Sequence, residues 1–178
     1  MSYPVTITAE AAAAPLLFWS TVFDAQAWAG DWRVAPLGAA SNAGGIDNSR
    51  PLQSAVTLSL FTDRRAPEGW RPEIADRRGW WGDSVAAAGA SPVVTGSHLW
   101  LLRNEVASAQ NAELAKIYAE EALAWMVESK VAASVTVTSG LVEDPRRGVW
   151  LEIVIRDRDG VKTYDQRFAG LWQQETRA

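Results

Sequence analysis

The sequence predicts an α+β fold in which one long helix packs on a C-terminal three-stranded antiparallel meander. Two patterns carry this prediction. The segment from Ala107 to Glu128 contains no glycine or proline and repeats apolar residues at helical spacing. Three later segments alternate apolar and polar residues, as strands with one covered face do. The remaining parts are an N-terminal arm and a long loop rich in tryptophan and arginine.

Composition limits the classes of function. The 178 residues carry a formal net charge of −4 and include Cys 0 and His 1. No basic stripe favours nucleic acid, and the lack of cysteine removes thiolate nucleophiles, disulfides and cysteine metal ligands. No apolar run approaches the ~20 residues of a membrane span. We therefore expect a soluble, non-secreted protein without a cofactor, and the 10 tryptophans indicate a large aromatic core or extensive protein contacts.

The chain divides at a small-residue segment that contains Gly44 and Gly45. Residues 1–45 are predicted to form an N-terminal arm or extension, in which Asp31–Val34 alternates like a short strand. Residues 46–178 are predicted to form the main domain. The arm is too apolar to be plainly disordered, so we expect it to pack either on this domain or on a neighbouring chain.

The main domain begins with a predicted helix. Pro51 is suited to the first turn, and Asn48 or Ser49 is suited to cap it. The same apolar residues also alternate, so a strand is the alternative, and we favour the helix. The residues that share one helical face are Leu52, Val56 and Leu60.

A long loop follows from Thr62 to Pro92, with glycine and proline breakers along it. Trp80 and Trp81 are adjacent and flanked by glycines, so we expect both indoles to insert into the body of the protein. Alternatively, part of the loop is a partner surface, because tryptophan and arginine are favoured at interface hot spots. The charged residues expected to tie the loop down are Asp63, Arg64, Arg65, Arg77, Arg78 and Asp83.

A short apolar insert, His98–Leu102, precedes the long helix. Glu121 lies within the apolar stripe of that helix, and a buried carboxylate needs a partner. We therefore expect one of the loop arginines beside it. Leu123, Met126 and Val127 project from a different side, so the helix end is either buried on two sides or presents a second face to another chain. The predicted stripe consists of Leu114, Ile117, Tyr118, Ala122 and Trp125.

The predicted strands cover Val131–Val137, Val149–Arg156 and Thr163–Phe168, and Asp157–Gly160 is a strong hairpin signal between the last two. A meander leaves its outer strands unpaired on one side. The first strand has no charge or proline to protect that edge. We therefore expect either the arm around Asp31–Val34 or another chain to cover it.

The sequence shows no recognisable catalytic or metal-binding set. His98 is interpreted as a packing residue, and Gly79–Gly82 matches no nucleotide-binding glycine motif. Glu121 with Asp63 or Asp83 is a nominal carboxylate pair for glycoside cleavage. Ion pairing with the nearby arginines explains these carboxylates as well. The sequence therefore favours a protein that is not an enzyme.

Four blocks, in the order found here, resemble one known family. They are Leu52–Ala66, Arg78–Asp83, Gly96–Leu102 and Tyr118–Trp125. The Leu-Phe-Thr-Asp and Arg-Gly-Trp-Trp-Gly-Asp segments are the specific part. The family that they resemble is the Mu-type phage baseplate protein, a small wedge subunit related to the sheath-initiating wedge protein of T4-like phages. The resemblance extends from about Asp31 to the C-terminus.

This resemblance implies a structural role in the inner baseplate of a contractile tail. Such proteins join the central hub and spike to the wedge and help to start sheath assembly, and their fold resembles part of the sheath subunit. The implied partners are the hub or spike, the larger wedge subunit and the sheath, without nucleic acid, membrane or small-molecule substrate. The implied location is the tail baseplate of the virion, and the host cytoplasm during assembly.

Three sources fit this reading: a free phage, a prophage or a tailocin. Two other functions stay open: a lysozyme-like cell-wall hydrolase, after an older label in the wider family, and a regulatory binding module, because the wider fold includes a bacterial anti-adaptor. The residues expected to bind partners or anchor the loop are Arg64, Arg65, Arg78, Trp80, Trp81, Asp83, Glu121, Leu123, Met126 and Val127.

Overall fold

The computed structural model describes residues 21–24, 29–32, 34–39, 43–47, 51–71, 73, 75–85, 94–142, 148–168 and 171. The helices are α1 (Pro51–Phe61), the short 3-10 helices η1 (Trp81–Val85) and η2 (His98–Leu102), and α2 (Ala109–Glu128). The strands are β1 (Thr21–Asp24), β2 (Ala29–Trp32), β3 (Ser134–Val142), β4 (Gly148–Arg156) and β5 (Lys162–Phe168). Strands β3, β4 and β5 form an antiparallel meander in that order. The predicted α+β fold is confirmed.

Helix α2 begins at a serine cap and lies on the meander. Ser108 Oγ accepts a hydrogen bond from Asn111 N at 3.2 Å, which satisfies one of the free amides of the first turn. The predicted stripe is partly wrong, because Ile117 is 47% exposed. Alanine has little volume, so the alanine-rich face lets the helix approach the strands closely. The buried residues of α2 are Ala112, Ala115, Ala119, Ala122, Leu123 and Met126.

The central strand β4 supplies the floor of the core. Its inward residues are all buried, and the alternate residues face outward, as the sequence alternation predicts. The predicted first strand is shifted: β3 starts at Ser134, because the preceding residues close the C-terminal end of α2, where Ala132 N donates to Met126 O at 2.9 Å. The buried β4 residues are Val149, Leu151, Ile153 and Ile155.

Strand β3 lies at the edge of the meander, as predicted. It pairs with β4 along its length, and no other described strand pairs with it. Among the described residues, β1 and β2 pair only with each other. Among the described residues, therefore, neither strand of the arm covers the outer edge of β3.

Helix α1 packs on α2, and the strand alternative for this segment is wrong. Val56 and Leu60 are buried in the shared core. Trp125 Nε1 donates to Ser59 Oγ at 3.0 Å, so the indole N–H has a hydrogen-bond partner within the protein. The predicted caps Asn48 and Ser49 lie outside the described residues.

The N-terminal part contains its own two-stranded sheet. Strands β1 and β2 make an antiparallel hairpin. Beyond it, Val34 bridges to Ile46, and Ala35 N donates to Gly45 O at 2.7 Å. The small-residue segment at Gly44–Gly45 therefore belongs to a closed turn. The division into residues 1–45 and 46–178 stays a prediction. Within the described residues, no helix has the length and apolar character required to span a membrane.

Candidate functional site

The long loop after α1 is held against η2 by a short parallel bridge between Asp63 and Ser97. Arg64 N donates to Ser97 O at 3.0 Å, and Ser97 N donates to Thr62 O at 2.9 Å. Gly96 makes this approach possible. Its φ is +94°, and a Cβ at this position would lie 2.3 Å from Thr62 O. A side chain there would face both an unfavourable backbone conformation and a clash.

Ser97 then caps η2. Its Oγ accepts from Leu99 N at 3.0 Å and donates to Tyr118 O on α2 at 3.4 Å. The side chain is buried, so these bonds satisfy a hydroxyl that has left water. One serine thus connects the loop, η2 and α2.

Trp100 belongs to η2, and the loop packs around its indole. Its Nε1 donates to Arg64 O at 2.8 Å. The guanidinium carbon of Arg78 lies 4.7 Å from the centroid of the Trp100 ring, and the Trp70 ring meets it edge-on at 5.1 Å. Sequence analysis missed Trp70 and Trp100 as partners. One feature of the sequence could have indicated Trp100. It lies inside the apolar insert His98–Leu102, where a buried indole N–H needs a hydrogen-bond acceptor.

Trp80 and Trp81 are not inserted into the body, so that expectation is wrong. Trp80 is 43% exposed and Trp81 74% exposed, and their ring centroids are 5.7 Å apart. Gly82 explains the arrangement, because a Cβ there would lie 2.2 Å from the Trp80 ring. The absence of a side chain lets the indole fold back over its own turn. The turn is fastened by Asp83, whose Oδ1 accepts from Thr95 N at 3.2 Å.

Glu121 is paired as predicted, but it is not buried. Arg64 Nη1 lies 3.0 Å from Glu121 Oε1, and His98 Nδ1 lies 3.5 Å from Oε2. The Glu121 side chain keeps 45% of its exposure. The physical reason is the rotation of α2 toward its alanine face, which moves Glu121 to the rim of the core. His98 packs edge-on against Tyr118 with ring centroids 5.5 Å apart, which agrees with its interpretation as a packing residue.

The other loop charges bind within the chain. Arg78 Nη1 donates to Asp63 Oδ2 at 2.8 Å, and Arg77 donates through Nε and Nη2 to Ala66 O at 2.9 and 2.6 Å. Arg65 is exposed, and its Cβ lies against Gly79, which has a φ of +110°. These bonds fix the path of the loop.

The three apolar residues at the end of α2 separate into two groups. Leu123 and Met126 are fully buried in the core of their own chain, so they do not form a surface for another chain. Val127 is 43% exposed, so its side chain is accessible to another chain. The sequence left two alternatives for this helix end, which were burial on two sides or a second face for another chain. Leu123 and Met126 follow the first alternative.

The nominal carboxylate pairs are engaged in structural bonds. Glu121 binds Arg64, Asp63 binds Arg78, and Asp83 accepts from Thr95 N. Within the described ranges, no group of three or more His, Asp or Glu side chains is placed to hold a metal ion.

A depression of about 130 Å³ opens beside Trp100. This is well below the roughly 300–1,000 Å³ of typical small-molecule sites. Its lining residues are Trp70, Arg71, Asp76, Arg78, Trp100, Leu101, Arg103 and Asn104.

Comparison with known proteins gives one consistent result. The family model described as phage protein GP46 matches residues 52–162, which span the chain from α1 to the start of β5 and include the whole loop. The baseplate protein gp46 of Escherichia phage Mu is 44% identical over 110 residues, which cover 58% of this chain and 67% of that protein. The Mu-like prophage FluMu protein gp46 of Haemophilus influenzae is 35% identical over 128 residues, which cover 71% of this chain and 82% of that protein. The resemblance seen in the sequence blocks is confirmed, and the chain belongs to the GP46 family of phage proteins.

Proposed function

We propose that the protein is a structural component of the baseplate of a contractile phage tail. The observation that carries the proposal is the 44% identity to the Mu baseplate protein gp46 over 110 residues. The family match over residues 52–162 includes the loop segments, both α-helices, β3 and β4. In the finer form of the proposal, the protein connects the hub and spike to the wedge and helps to start the sheath. It acts in the virion and is assembled in the host cytoplasm.

Two surfaces support an assembly role. Trp80 and Trp81 lie exposed on a turn that Asp83 holds in place. A rigid exposed aromatic pair loses little conformational entropy when a partner covers it, as hot-spot residues do. The free edge of β3 is the second surface, because main-chain groups along an edge bind a partner strand by β-augmentation. Arg65 and Val127 are also exposed, and we include both in the proposed partner contacts.

The carboxylates support a protein that is not an enzyme. A glycosidase needs one carboxyl group held protonated and another free to act as base or nucleophile. Here Glu121 and Asp63 are each paired with an arginine, so neither carboxylate is free of a structural partner. We therefore assign these charges to the anchoring of the loop.

Deletion of the gene tests the proposal. Particles are produced from the genome with the gene deleted and from the same genome complemented with the wild-type gene, and they are compared by electron microscopy. We expect the deletion strain to produce no sheathed tails and the complemented strain to produce normal tails. Purified complemented particles should contain the protein by mass spectrometry. Normal sheathed tails without the gene, or particles that lack the protein, would rule out a baseplate role.

A further inference from the structure

We propose that the depression beside Trp100 binds one acidic side chain of another tail protein, and that Arg71, Arg78 and Arg103 supply the charge that recognises it. The identity of the partner as a tail protein rests on the proposed function. The site itself rests on four observations: stacked guanidinium groups, unusual backbone conformations, unused donors and size.

The first observation is the stacking of arginine on tryptophan. The guanidinium carbon of Arg78 lies 4.7 Å from the Trp100 ring centroid, and that of Arg71 lies 5.4 Å from the Trp70 centroid. The two indoles meet edge-on at 5.1 Å. A stacked guanidinium is held by its face, so its N–H groups remain available in its plane. The rings therefore hold two arginines at the rim of one depression.

The second observation is the backbone. Arg71 and Arg78 have φ values of 43° and 53°, and Lys130 is the third described residue other than glycine with positive φ. Such conformations are uncommon for residues with a side chain, and they concentrate at functional sites. Arg78 N donates to Asp76 Oδ1 at 2.8 Å, which supports its turn. The chain thus adopts an unfavourable backbone at the two positions that carry the stacked arginines.

The third observation is that most guanidinium donors of these arginines have no acceptor among the residues that the structure describes. Arg78 donates through Nη1 to Asp63, and Arg71 through Nη2 to Glu105 at 2.6 Å. Arg103 is exposed, and its side chain has no hydrogen bond or ion pair among the described residues. Each guanidinium has five N–H donors in a fork that matches a carboxylate. Donors from separate arginines therefore remain for an incoming acid.

The fourth observation is size. A depression of about 130 Å³ admits a side chain and is too small for a nucleotide or a cofactor. Three arginines and Asp76 line it. Glu105 and Asp63 pair with Arg71 and Arg78, so recognition of an acid rests on the guanidinium donors that remain without an acceptor among the described residues. The net charge of −4 on the whole chain opposes a long anionic polymer such as nucleic acid. A single aspartate or glutamate on a partner protein fits both facts.

Charge reversal at Arg103 tests the proposal. Arg103→Glu places a negative charge at the rim without removing a described bond, so the purified variant should melt like the wild type. In the complementation assay, we expect Arg103→Glu to lower the yield of infectious particles at least tenfold and Arg103→Lys to retain most of it. The matched control is Arg158→Glu, at an exposed arginine in the β4–β5 turn, which should assemble normally.

Second-site suppression and cross-linking identify the occupant. Suppressors of Arg103→Glu should replace an aspartate or glutamate with lysine or arginine in another tail protein. A photo-crosslinking amino acid at Asn104, which lines the depression but leaves the arginines intact, should join the chain to an acidic segment of that protein in assembled tails. Cross-links to a second copy of this chain, or no cross-links, would overturn the proposal.

The two proposals fail separately. If deletion of the gene leaves tails normal, the baseplate role is wrong. If deletion abolishes tails but Arg103→Glu supports normal assembly, the baseplate role stands and the acidic-side-chain site is wrong.

Discussion

Arg64 Nη1 lies 3.0 Å from Glu121 Oε1 and joins the loop to α2 at the rim of the core rather than inside it. Because the side chains keep 22% and 45% of their exposure, water and salt screen the pair. We predict that Glu121→Gln lowers the free energy of unfolding by less than about 1 kcal/mol, in place of the ~3–5 kcal/mol that follows from breaking a buried pair.

A double-mutant cycle with Arg64→Ala and Glu121→Gln, followed by urea unfolding, measures the coupling. Glu113→Gln is the matched control, because Glu113 pairs with Lys116 on the exposed side of the same helix. A coupling energy above about 3 kcal/mol would show that the pair is shielded from solvent after all.

Gly96 should be among the positions least tolerant of a side chain. Gly96→Ala adds a methyl group 2.3 Å from Thr62 O and places alanine at a φ of +94°. We predict a loss of more than about 3 kcal/mol, because the clash adds to the ~1–2 kcal/mol of the left-handed conformation.

Gly160→Ala separates these two costs. Gly160 has a φ of +77° but no atom within 4 Å of its added Cβ, so its loss should be only about 1–2 kcal/mol. Thermal and urea unfolding of both variants measure the difference. Equal losses would mean that the loop moves freely away from the added methyl group.

Trp81 and Trp100 should have opposite phenotypes. Trp81→Ala is predicted to change stability by less than about 0.5 kcal/mol, since the side chain is 74% exposed, yet to reduce tail assembly. Trp100→Ala removes the hydrogen bond to Arg64 O and the support of Arg78, and should cost more than about 2 kcal/mol. Unfolding of the purified variants and electron microscopy of complemented particles provide the two readouts. Normal assembly with Trp81→Ala would remove this pair from the proposed interface.

The edge of β3 gives a prediction that concerns assembly alone. Thr136 is exposed on this strand, opposite Val154 of β4. Thr136→Lys should leave the monomer folded, with a stability change below about 1 kcal/mol, and should prevent docking of a partner strand, because lysine protects sheet edges. Gln110→Lys, at an exposed position on α2, is the control for added charge. Sheathed tails at wild-type yield with Thr136→Lys would exclude this edge as an interface.

Tyr164 should make the fold sensitive to alkaline pH. Burial raises its pKa from 10.0 to about 12, because desolvation disfavours the charged phenolate. Between these values the folded chain keeps the phenol proton that the unfolded chain loses. Stability from this group is therefore complete below pH 10.0 and declines as the pH rises to about 12. Urea unfolding across this range should show a smaller decline for Tyr164→Phe, and an equal decline would contradict the assignment.

The sequence predicts which segments form helices and strands better than it predicts which of their side chains are buried. Strong periodicity in α2 and β4 leaves few alternative structures, so both appear where expected. The side of α2 that faces the core is not predicted correctly. Ile117 is exposed and Ala115 is buried, although isoleucine is the more hydrophobic residue. Hydrophobicity alone does not report how closely a helix can approach a sheet, and that distance depends on side-chain volume.

The loop also contains features that the sequence does not predict. The predicted pairing of Glu121 with a loop arginine is confirmed, although the burial from which it was argued is not observed. The positions of the tryptophans do not follow from the sequence, because the exposure of Trp81 depends on the turn that Gly82 permits. The depression beside Trp100 is also invisible in the sequence, since residues around Trp70 and Arg103 meet only after the loop has closed.

The hydrogen bond from Trp100 to Arg64 spans 36 residues, and this separation has a consequence for synthesis on the ribosome. Helix α1 emerges before α2, but the buried core that contains Val56 and Leu60 is formed largely by residues of α2 and the meander. The later unit, residues 109–168, is built from neighbours in sequence and is able to form by local contacts. We therefore expect α1 and the loop to dock last, after the chain is almost complete. Until then, the nascent chain exposes apolar surface that chaperones in the host recognise.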